Sequence, residues 1–175
     1  VISGDTLDVF VCHMPSRAGG EERSEPFRMA TCYVLKAAVD VVMNARKNPN
    51  ILIMGDFNDY PYNRSLTQML GAAKPKKKAD PHTLYNLMYG MKGGTNRYRG
   101  EWGILDQIIV SGTLLQPTNN IHTTPDKAQI LRHPFLLEED DRYGGDIPSR
   151  TYIGMKYHGG YSDHLPVCVD LEIKY

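Results

Sequence analysis

A chain of 175 residues is long enough to bury the core of one domain, and we expect residues 1–175 to form a single domain. Its 41% hydrophobic and 23% charged residues are typical of a soluble globular protein. A net charge of zero argues against a protein that grips long duplex DNA through a broad basic face. The neutral charge does not exclude phosphorylated substrates, because a metal ion can supply positive charge locally.

The distribution of apolar residues and cysteines argues against further classes of protein. No run approaches the roughly 20 apolar residues of a membrane span. No signal peptide opens the chain, so we expect a soluble protein whose localisation stays open. The 3 cysteines are far apart and lack CxxC spacing, which indicates free thiols and not disulfides or a zinc cluster.

The first part of the chain predicts two buried strands around one long helix. Residues 7–12 form the first strand, and residues 3–5 are typical of a hairpin turn whose other arm would be residues 1–2. Ser24 is expected to cap a helix that ends at residues 48–49, before a wholly apolar strand at residues 51–54. The predicted buried face of that helix consists of Phe27, Ala30, Val34, Leu35, Ala38, Val42 and Ala45.

The remainder is richer in loops. We expect a short helix at residues 66–70 and strands at 95–102 and 104–111, separated at Gly103. Residues 116–150 are expected to be mainly surface loop. Closing strands are predicted at residues 151–157 and 167–173. Strands outnumber helices and one long helix covers a sheet, which predicts an α+β or layered α/β/β/α fold.

Polar residues follow the predicted strand at residues 51–54. Gly55 allows the backbone to turn or to approach a ligand closely, Asp56 offers a hard oxygen ligand, and the Asn58 amide can donate to a phosphate oxygen. Strand ends commonly hold functional groups, because a rigid sheet positions them. The alternative is an Asx turn that only closes the strand.

Two further segments combine carboxylates with a histidine. Asp163 and His164 precede the last strand, where the carboxylate could hold a metal and the imidazole could act as a base or stabilise negative charge. The alternative is an ordinary polar loop. Asp106 lies in an otherwise apolar strand and needs a partner, unless it only ties down a turn. His164 is the candidate, because an Asp–His hydrogen bond fixes the imidazole tautomer.

Three other segments carry weaker signals. His13, Ser16 and Arg17 follow the first strand and could contact phosphate, although a histidine in such a place is more often structural. The lysines at residues 74–78 are either a DNA-contacting loop or a solvated turn. Tyr98 and Trp102 could border a base or a sugar, or serve as cross-strand packing.

These residue types complement one another. Phosphoester hydrolysis needs a divalent cation on carboxylate oxygens, donors for the phosphoryl oxygens and a group that activates water. The sequence therefore predicts a metal-dependent phosphoesterase whose substrate is a small molecule, a lipid or a nucleic acid. The alternative is a non-catalytic binding module that keeps the scaffold without turnover.

Segments at residues 55–58, 105–109 and 162–166, in this order, resemble the endonuclease/exonuclease/phosphatase superfamily. Residues 13–17 resemble its histidine-bearing strand end, where His13 would contact phosphate or act as an acid. The resemblance implies a four-layer α/β/β/α sandwich of the DNase I-like type. It also implies hydrolysis of phosphodiesters or phosphomonoesters with Mg²⁺ or Mn²⁺, by in-line attack of water at phosphate.

The same resemblance implies roles for the other motif residues. Asp56 would orient or activate the attacking water and contribute to the metal site, and Asn58 would hold a phosphate oxygen. Asp163 would be a metal ligand. His164, supported by Asp106, would contact the scissile phosphate or act as the base.

The resemblance covers only the C-terminal part of the family's domain. The Asn and the metal-binding Glu of the family's N-terminal half have no counterpart here, so we expect weak metal binding and little or no turnover from these 175 residues alone. A partial sandwich would also expose the apolar inner face of its sheet. We therefore expect dimers or larger assemblies through that face.

Overall fold

The computed structural model describes residues 4–174. The strands are β1 (Leu7–His13), β2 (Asn50–Asp56), β3 (Ala72–Ala73), β4 (Leu84–Asn86), β5 (Asn96–Tyr98), β6 (Glu101–Gly103), β7 (Asp106–Ser111), β8 (Ile121–His122), β9 (Ala128–Ile130), β10 (Leu137–Glu139), β11 (Asp146–Pro148), β12 (Tyr152–Ile153), β13 (Lys156–Tyr157), β14 (Val167–Val169) and β15 (Glu172–Ile173). The helices are α1 (Glu21–Ala45), a π-helix (Ser65–Leu70) and 3₁₀ turns at Gly112–Leu115, Pro125–Lys127 and Pro134–Leu136.

A five-stranded mixed sheet, in the order β1-β2-β7-β4-β3, is the central element. Strands β1 and β2 are parallel, because α1 carries the chain back between them. Strand β7 is antiparallel to both of its neighbours, β2 and β4. The carboxyl ends of β1 and β2 therefore meet the amino end of β7 at one edge of the sheet.

The sheet is covered on both faces. Ile51, Ile53 and Ile109 pack under α1 and the π-helix. The alternate residues Leu52 and Ile108 face a second apolar cluster, which is closed by β9 paired with β14 and β8 paired with β15. The described residues thus form three layers, a helix layer, a sheet and a second strand layer, and the fourth layer of the expected sandwich stays a prediction.

The predicted buried face of α1 is wrong in most positions. The buried residues are Ser24, Arg28, Cys32, Leu35, Val39 and Met43. Phe27, by contrast, is 64% exposed. The helix also begins at Glu21 after Gly20, so Ser24 lies inside it and does not cap it. The apolar pattern misidentified this face because two of its positions are polar: Arg28 is paired with Asp59, and Ser24 is hydrogen-bonded within the start of the helix.

Several predicted strands are divided differently. Residues 95–102 form the hairpin β5–β6, and residues 151–157 form the hairpin β12–β13. The predicted loop at residues 116–150 contains β8 to β11. The strand predicted at residues 51–54 is confirmed within the longer β2, and the turn and arm predicted at residues 1–5 lie largely outside the described residues.

Strand β1 carries an uncovered apolar face. Its side chains alternate: Phe10 and Cys12 pack against the cluster under α1, whereas Val9 and Val11 point the other way. Val11 is 79% exposed. The expectation of self-association through such a face stays a prediction. Across residues 4–174, every helix is too short or too polar to cross a bilayer.

Candidate active site

Three polar side chains lie in one row across the edge of the sheet. His13 of β1 is the register partner of Asp56 in β2, and Asp56 is the register partner of Asp106 in β7. Register partners on neighbouring strands project their side chains to the same face. The strand pairing alone therefore brings together residues that are separated by 43 and by 50 positions in the chain.

Gly55 makes this row possible. A Cβ atom at Gly55 would lie only 1.9 Å from the carbonyl oxygen of Cys12, and the Gly55 φ angle is +133°. The sequence suggested a turn or a close approach to a ligand, and the close approach is to the backbone of β1. Only glycine lets the two strand ends converge directly before Asp56.

Asp56 is oriented by the residues that follow it. The Asn58 N–H donates to Asp56 Oδ1 at 2.7 Å, and Asn58 Nδ2 donates to Asp56 Oδ2 and to the Met14 carbonyl, both at 3.0 Å. Asn58 has a φ angle of +50°, a left-handed conformation that Asn tolerates well. The Asx turn is thus present, and it fixes a carboxylate within the polar row.

In this arrangement both Asn58 amide protons are engaged. Contact between the Asn58 amide and a phosphate oxygen would require one of these two bonds to be exchanged. The geometry assigns Asn58 first to holding Asp56 against the end of β1. Its role toward phosphate stays a prediction.

His164 is paired with Asp106, as the sequence suggested. His164 Nδ1 lies 2.6 Å from Asp106 Oδ2, and both side chains are mostly buried. With Nδ1 held by the carboxylate, the opposite ring nitrogen, Nε2, is the one available to a ligand. His164 lines a cavity together with Asn58 and Asp163.

Thr95 positions this pair and carried no signal in the sequence. Its Oγ1 accepts hydrogen bonds from the N–H groups of Leu105 at 3.1 Å and Asp106 at 3.2 Å. Its carbonyl accepts the Leu165 N–H at 2.6 Å. One buried threonine therefore ties the segment that bears Asp106 to the loop that bears His164. A contact between such distant segments has no local pattern from which it could have been predicted.

The pKa values of Asp56 and His164 are both shifted upward. Burial raises the pKa of Asp56, and the charge of Asp106 adds to this, against the opposing effect of the Asn58 hydrogen bond. For His164, burial alone would lower the pKa. The hydrogen bond and charge of Asp106, with the charges of Asp56 and Asp163, outweigh burial and raise it. Both shifts make the group a stronger base than its exposed counterpart.

Other predicted residues lie around this centre. Asp163 borders the same cavity and is exposed, and its carbonyl accepts a hydrogen bond from Asn96. Its carboxylate is not among the described groups whose ligand atoms cluster together. His13 Nε2 is 3.6 Å from Asp56 Oδ2, with a side chain that is 79% exposed. The proposed metal and phosphate roles of Asp163 and His13 stay predictions.

Arg17 holds the loop after β2 in place at the edge of the candidate site. Its Nε donates to the Asn58 carbonyl at 2.7 Å, and its guanidinium is shared with Glu21 and Asp59. It also stacks over the Tyr60 ring, with 4.8 Å between Cζ and the ring centroid. These contacts fasten the loop after β2 to the start of α1.

A buried ion pair beneath that loop was also missed. Arg28 Nε lies 2.8 Å from Asp59 Oδ1, and both side chains are almost completely buried. Asp59 also accepts from Ser65, and its carbonyl accepts from Gln107 of β7 at 2.9 Å. This network explains why Arg28 occupies the buried face of α1. A buried charge with these partners is satisfied and rigidifies the loop behind Asp56.

The cavity lined by His164 has a volume of about 860 Å³. Tyr60, Tyr98 and Arg99 also line it, and the role of Tyr98 toward a base or a sugar stays a prediction. Trp102 instead carries a packing role, because the Arg132 guanidinium lies 4.3 Å from its ring centroid. The lysines at residues 74–78 border a different cavity.

The ligand atoms at the candidate active site suit a divalent cation. Asp56, Asp106 and His164 each offer a ligand atom, and these atoms all lie within 4.8 Å of one another. Carboxylate oxygens suit Mg²⁺ and Mn²⁺, whereas the His164 imidazole can ligate an ion only in its neutral form. The two carboxylates alone leave most positions of a six-coordinate ion to water and substrate, so the donor set predicts weak binding.

The comparisons with known proteins place the chain in a family. The model of the endonuclease/exonuclease/phosphatase family matches residues 1–173, and the chain belongs to this family, as its motifs indicated. A comparison with curated proteins gives no match.

Two solved structures show the fold. The mannosyl-6-phosphatase of Bacteroides thetaiotaomicron VPI-5482 superposes with a TM-score of 0.50 at 19% identity, over 93% of this chain and 50% of that one. An endonuclease/exonuclease/phosphatase family protein from Bacteroides thetaiotaomicron gives a TM-score of 0.51 at 18% identity, over 93% and 49%. The chain thus spans about half the length of these proteins, and at this identity they establish the fold alone.

Proposed function

We propose that the site formed by Asp56, Asp106 and His164 hydrolyses phosphate esters with the help of Mg²⁺ or Mn²⁺. The observation that carries the proposal is the convergence of these side chains, whose ligand atoms all lie within 4.8 Å of one another, with His164 paired to Asp106 at 2.6 Å. Family membership and the donor set support it. Asp163, at the wall of the cavity that His164 lines, is a further candidate ligand beside Asp56.

Asp56 is the group that would prepare the attacking water. Its raised pKa makes the carboxylate a stronger base than an exposed aspartate. The two hydrogen bonds from Asn58 fix the direction of its oxygens. A water held by Asp56 is therefore oriented for in-line attack on phosphorus and can transfer a proton to the carboxylate as the bond forms.

His164 is the group that would meet the phosphate. Its raised pKa favours the imidazolium, which donates from Nε2 to a phosphoryl oxygen while Asp106 accepts from Nδ1. Negative charge that develops on the phosphoryl oxygens is then met by a fixed donor. A divalent cation held by the carboxylates would supply further positive charge to the same oxygens.

Hydrolysis under single-turnover conditions tests the proposal. The 175-residue chain, in excess over 4-nitrophenyl phosphate or bis(4-nitrophenyl) phosphate, is mixed with millimolar Mg²⁺ or Mn²⁺. We expect slow release of 4-nitrophenol that EDTA abolishes and that Asp56→Asn lowers by about 10²–10⁴-fold. Asp170→Asn, a substitution of an exposed aspartate outside the site, is the matched control and should keep the wild-type rate.

The same experiment separates the enzyme from a binding module. Metal-dependent release that is lost in Asp56→Asn supports the enzyme, and the better of the two esters indicates a monoesterase or a diesterase. Release that is equal in wild type and Asp56→Asn contradicts the proposal.

A further inference from the structure

A second cavity, of about 570 Å³, adjoins the catalytic one. Tyr98 and Arg99 line both cavities, so the hairpin β5–β6 forms the wall between them. The second cavity is lined by four arginines, Arg97, Arg99, Arg142 and Arg150. We refer to it as the arginine cavity. Such a concentration of cations stands out in a chain whose net charge is zero.

The carboxylate in the wall of the arginine cavity is fully engaged. Asp140 Oδ1 accepts the backbone N–H groups of Arg142 at 3.0 Å and Tyr143 at 3.1 Å. Asp140 Oδ2 accepts from Arg97 Nη1 at 3.2 Å, and both of these side chains are buried. Arg97 is thereby neutralised. Asp140 has little capacity left to neutralise other guanidinium groups.

Arg97 holds the wall in place. Its remaining donors go to the carbonyls of Gly100 at 3.0 Å, Asp146 at 3.0 Å and Gly144 at 2.7 Å. These bonds tie the tip of the β5–β6 hairpin to the segment after Asp140. Arg97 therefore holds the hairpin against this segment, and the cavity is built on rigid elements.

The other three arginines have no carboxylate partner within residues 4–174: Arg99, Arg142 and Arg150 take part in no ion pair there. The Arg99 guanidinium lies 5.2 Å from the Tyr98 ring centroid, and Arg142 lies 5.2 Å from that of Tyr143. Aromatic rings orient these cations without neutralising them. Three unneutralised guanidinium groups around one cavity favour an anion.

Arg150 is anchored to the wall of the cavity. Its Nη2 donates to the Arg97 carbonyl at 3.1 Å. Its Nε is closed off from solvent. An anion in the arginine cavity would therefore bind Arg150 through its outer guanidinium nitrogens.

We propose that the arginine cavity binds a second phosphate group of the substrate, one that is not cleaved. This assignment rests on the proposed function, because it places the scissile phosphate at His164. The two phosphates would lie on opposite sides of the Tyr98 side chain, which is 67% exposed. The substrate class is therefore a molecule with at least two phosphate groups, and Arg99 and Arg142 determine the preference for it.

Binding of inorganic pyrophosphate tests the anion site without any turnover. The full chain is titrated calorimetrically at low salt in EDTA. We expect binding to weaken by about tenfold for each guanidinium removed in Arg99→Asn and Arg142→Gln, which corresponds to about 1.4 kcal/mol each. Both side chains are exposed, and Asn suits the Arg99 φ angle of +51°.

Two controls accompany the titration. The variant Lys47→Gln/Lys92→Gln removes two exposed cations outside both cavities and should bind pyrophosphate like wild type. Arg99→Lys keeps the positive charge and should bind better than Arg99→Asn. Unchanged binding in Arg99→Asn/Arg142→Gln, or an equal loss in the lysine variant, overturns the anion site.

A kinetic comparison links the anion to the substrate. Fructose 1,6-bisphosphate is compared with fructose 6-phosphate at saturating metal. We expect wild type to have the higher kcat/KM for the bisphosphate, and Arg99→Asn/Arg142→Gln to lose that preference through KM. Loss of pyrophosphate binding with no change in preference overturns the link to the substrate.

The experiments can contradict either proposal without contradicting the other. Pyrophosphate binding that depends on the arginines, without hydrolysis of either sugar phosphate, contradicts the proposed function and supports the anion site. Normal hydrolysis with arginine-independent pyrophosphate binding contradicts the anion site alone.

Discussion

Replacement of Gly55 by alanine should lower the protein's free energy of unfolding substantially. The new Cβ would lie 1.9 Å from the Cys12 carbonyl oxygen and 2.9 Å from the Cys12 carbonyl carbon. These are backbone atoms of a paired strand, so no side-chain rotation can relieve the contact. The φ angle of +133° adds strain for any residue with a Cβ.

The magnitude follows from these two terms. Strain at such a backbone conformation costs roughly 1–3 kcal/mol, and the displacement of β1 from β2 adds to it. We expect a loss of about 3 kcal/mol or more in the free energy of unfolding. A loss of that size lowers the ratio of folded to unfolded protein by roughly 150-fold.

Gly90 provides the matched control. It also has a positive φ angle, +73°, but a Cβ there would meet nothing within 4 Å. Gly90→Ala should therefore cost only about 1 kcal/mol. Urea unfolding of both variants, monitored by circular dichroism, measures the difference. Stabilities of the two variants within about 0.5 kcal/mol of each other would refute the close approach of β1 and β2 at Gly55.

Three further predictions concern the candidate active site and the residues that position it. Asp106→Asn should lower the single-turnover rate by about 10²–10⁴-fold, because the imidazole loses its carboxylate partner; a rate like that of the exposed-site control Asp170→Asn would contradict this. Thr95→Val should cost about 1–3 kcal/mol in urea unfolding, since it leaves two partly buried N–H groups without an acceptor, whereas Thr95→Ser should restore most of the stability. Because the folded-state pKa of His164 is raised above 6.5, the stability that this residue contributes should be complete below pH 6.5 and should disappear as pH rises through the raised pKa. Urea unfolding of wild type and His164→Gln across this range measures that contribution, and a stability gap that widens with rising pH would contradict it.

Much of the candidate site could be predicted from the sequence because its signals are local. Asp56 ends β2, His164 lies in the loop shortly before β14, and Asp106 stands out as a charge at the start of an apolar strand. A carboxylate there needs a partner, and the sequence offers His164 as the candidate. The strand at residues 51–54 was recognisable for a similar reason, since a short apolar run between turns is typical of a buried strand.

The features that were missed depend on contacts between distant segments. The buried face of α1 was mispredicted because Arg28 is satisfied by Asp59, 31 positions further along the chain. Thr95 looks like an ordinary strand residue until its hydroxyl meets the N–H groups ahead of β7. The arginine cavity likewise assembles residues from two separate regions. Periodicity and short motifs do not encode such pairs.

The rate of the His164→Gln variant tests the central claim most directly. Single-turnover hydrolysis of a phosphate ester is measured for wild type and His164→Gln in millimolar Mg²⁺, with thermal unfolding used to show that both are folded. If the imidazole held by Asp106 meets the scissile phosphate, the variant should be slower by about 10²–10⁴-fold. A folded His164→Gln variant with the wild-type rate would contradict the assignment of this site to phosphoester hydrolysis.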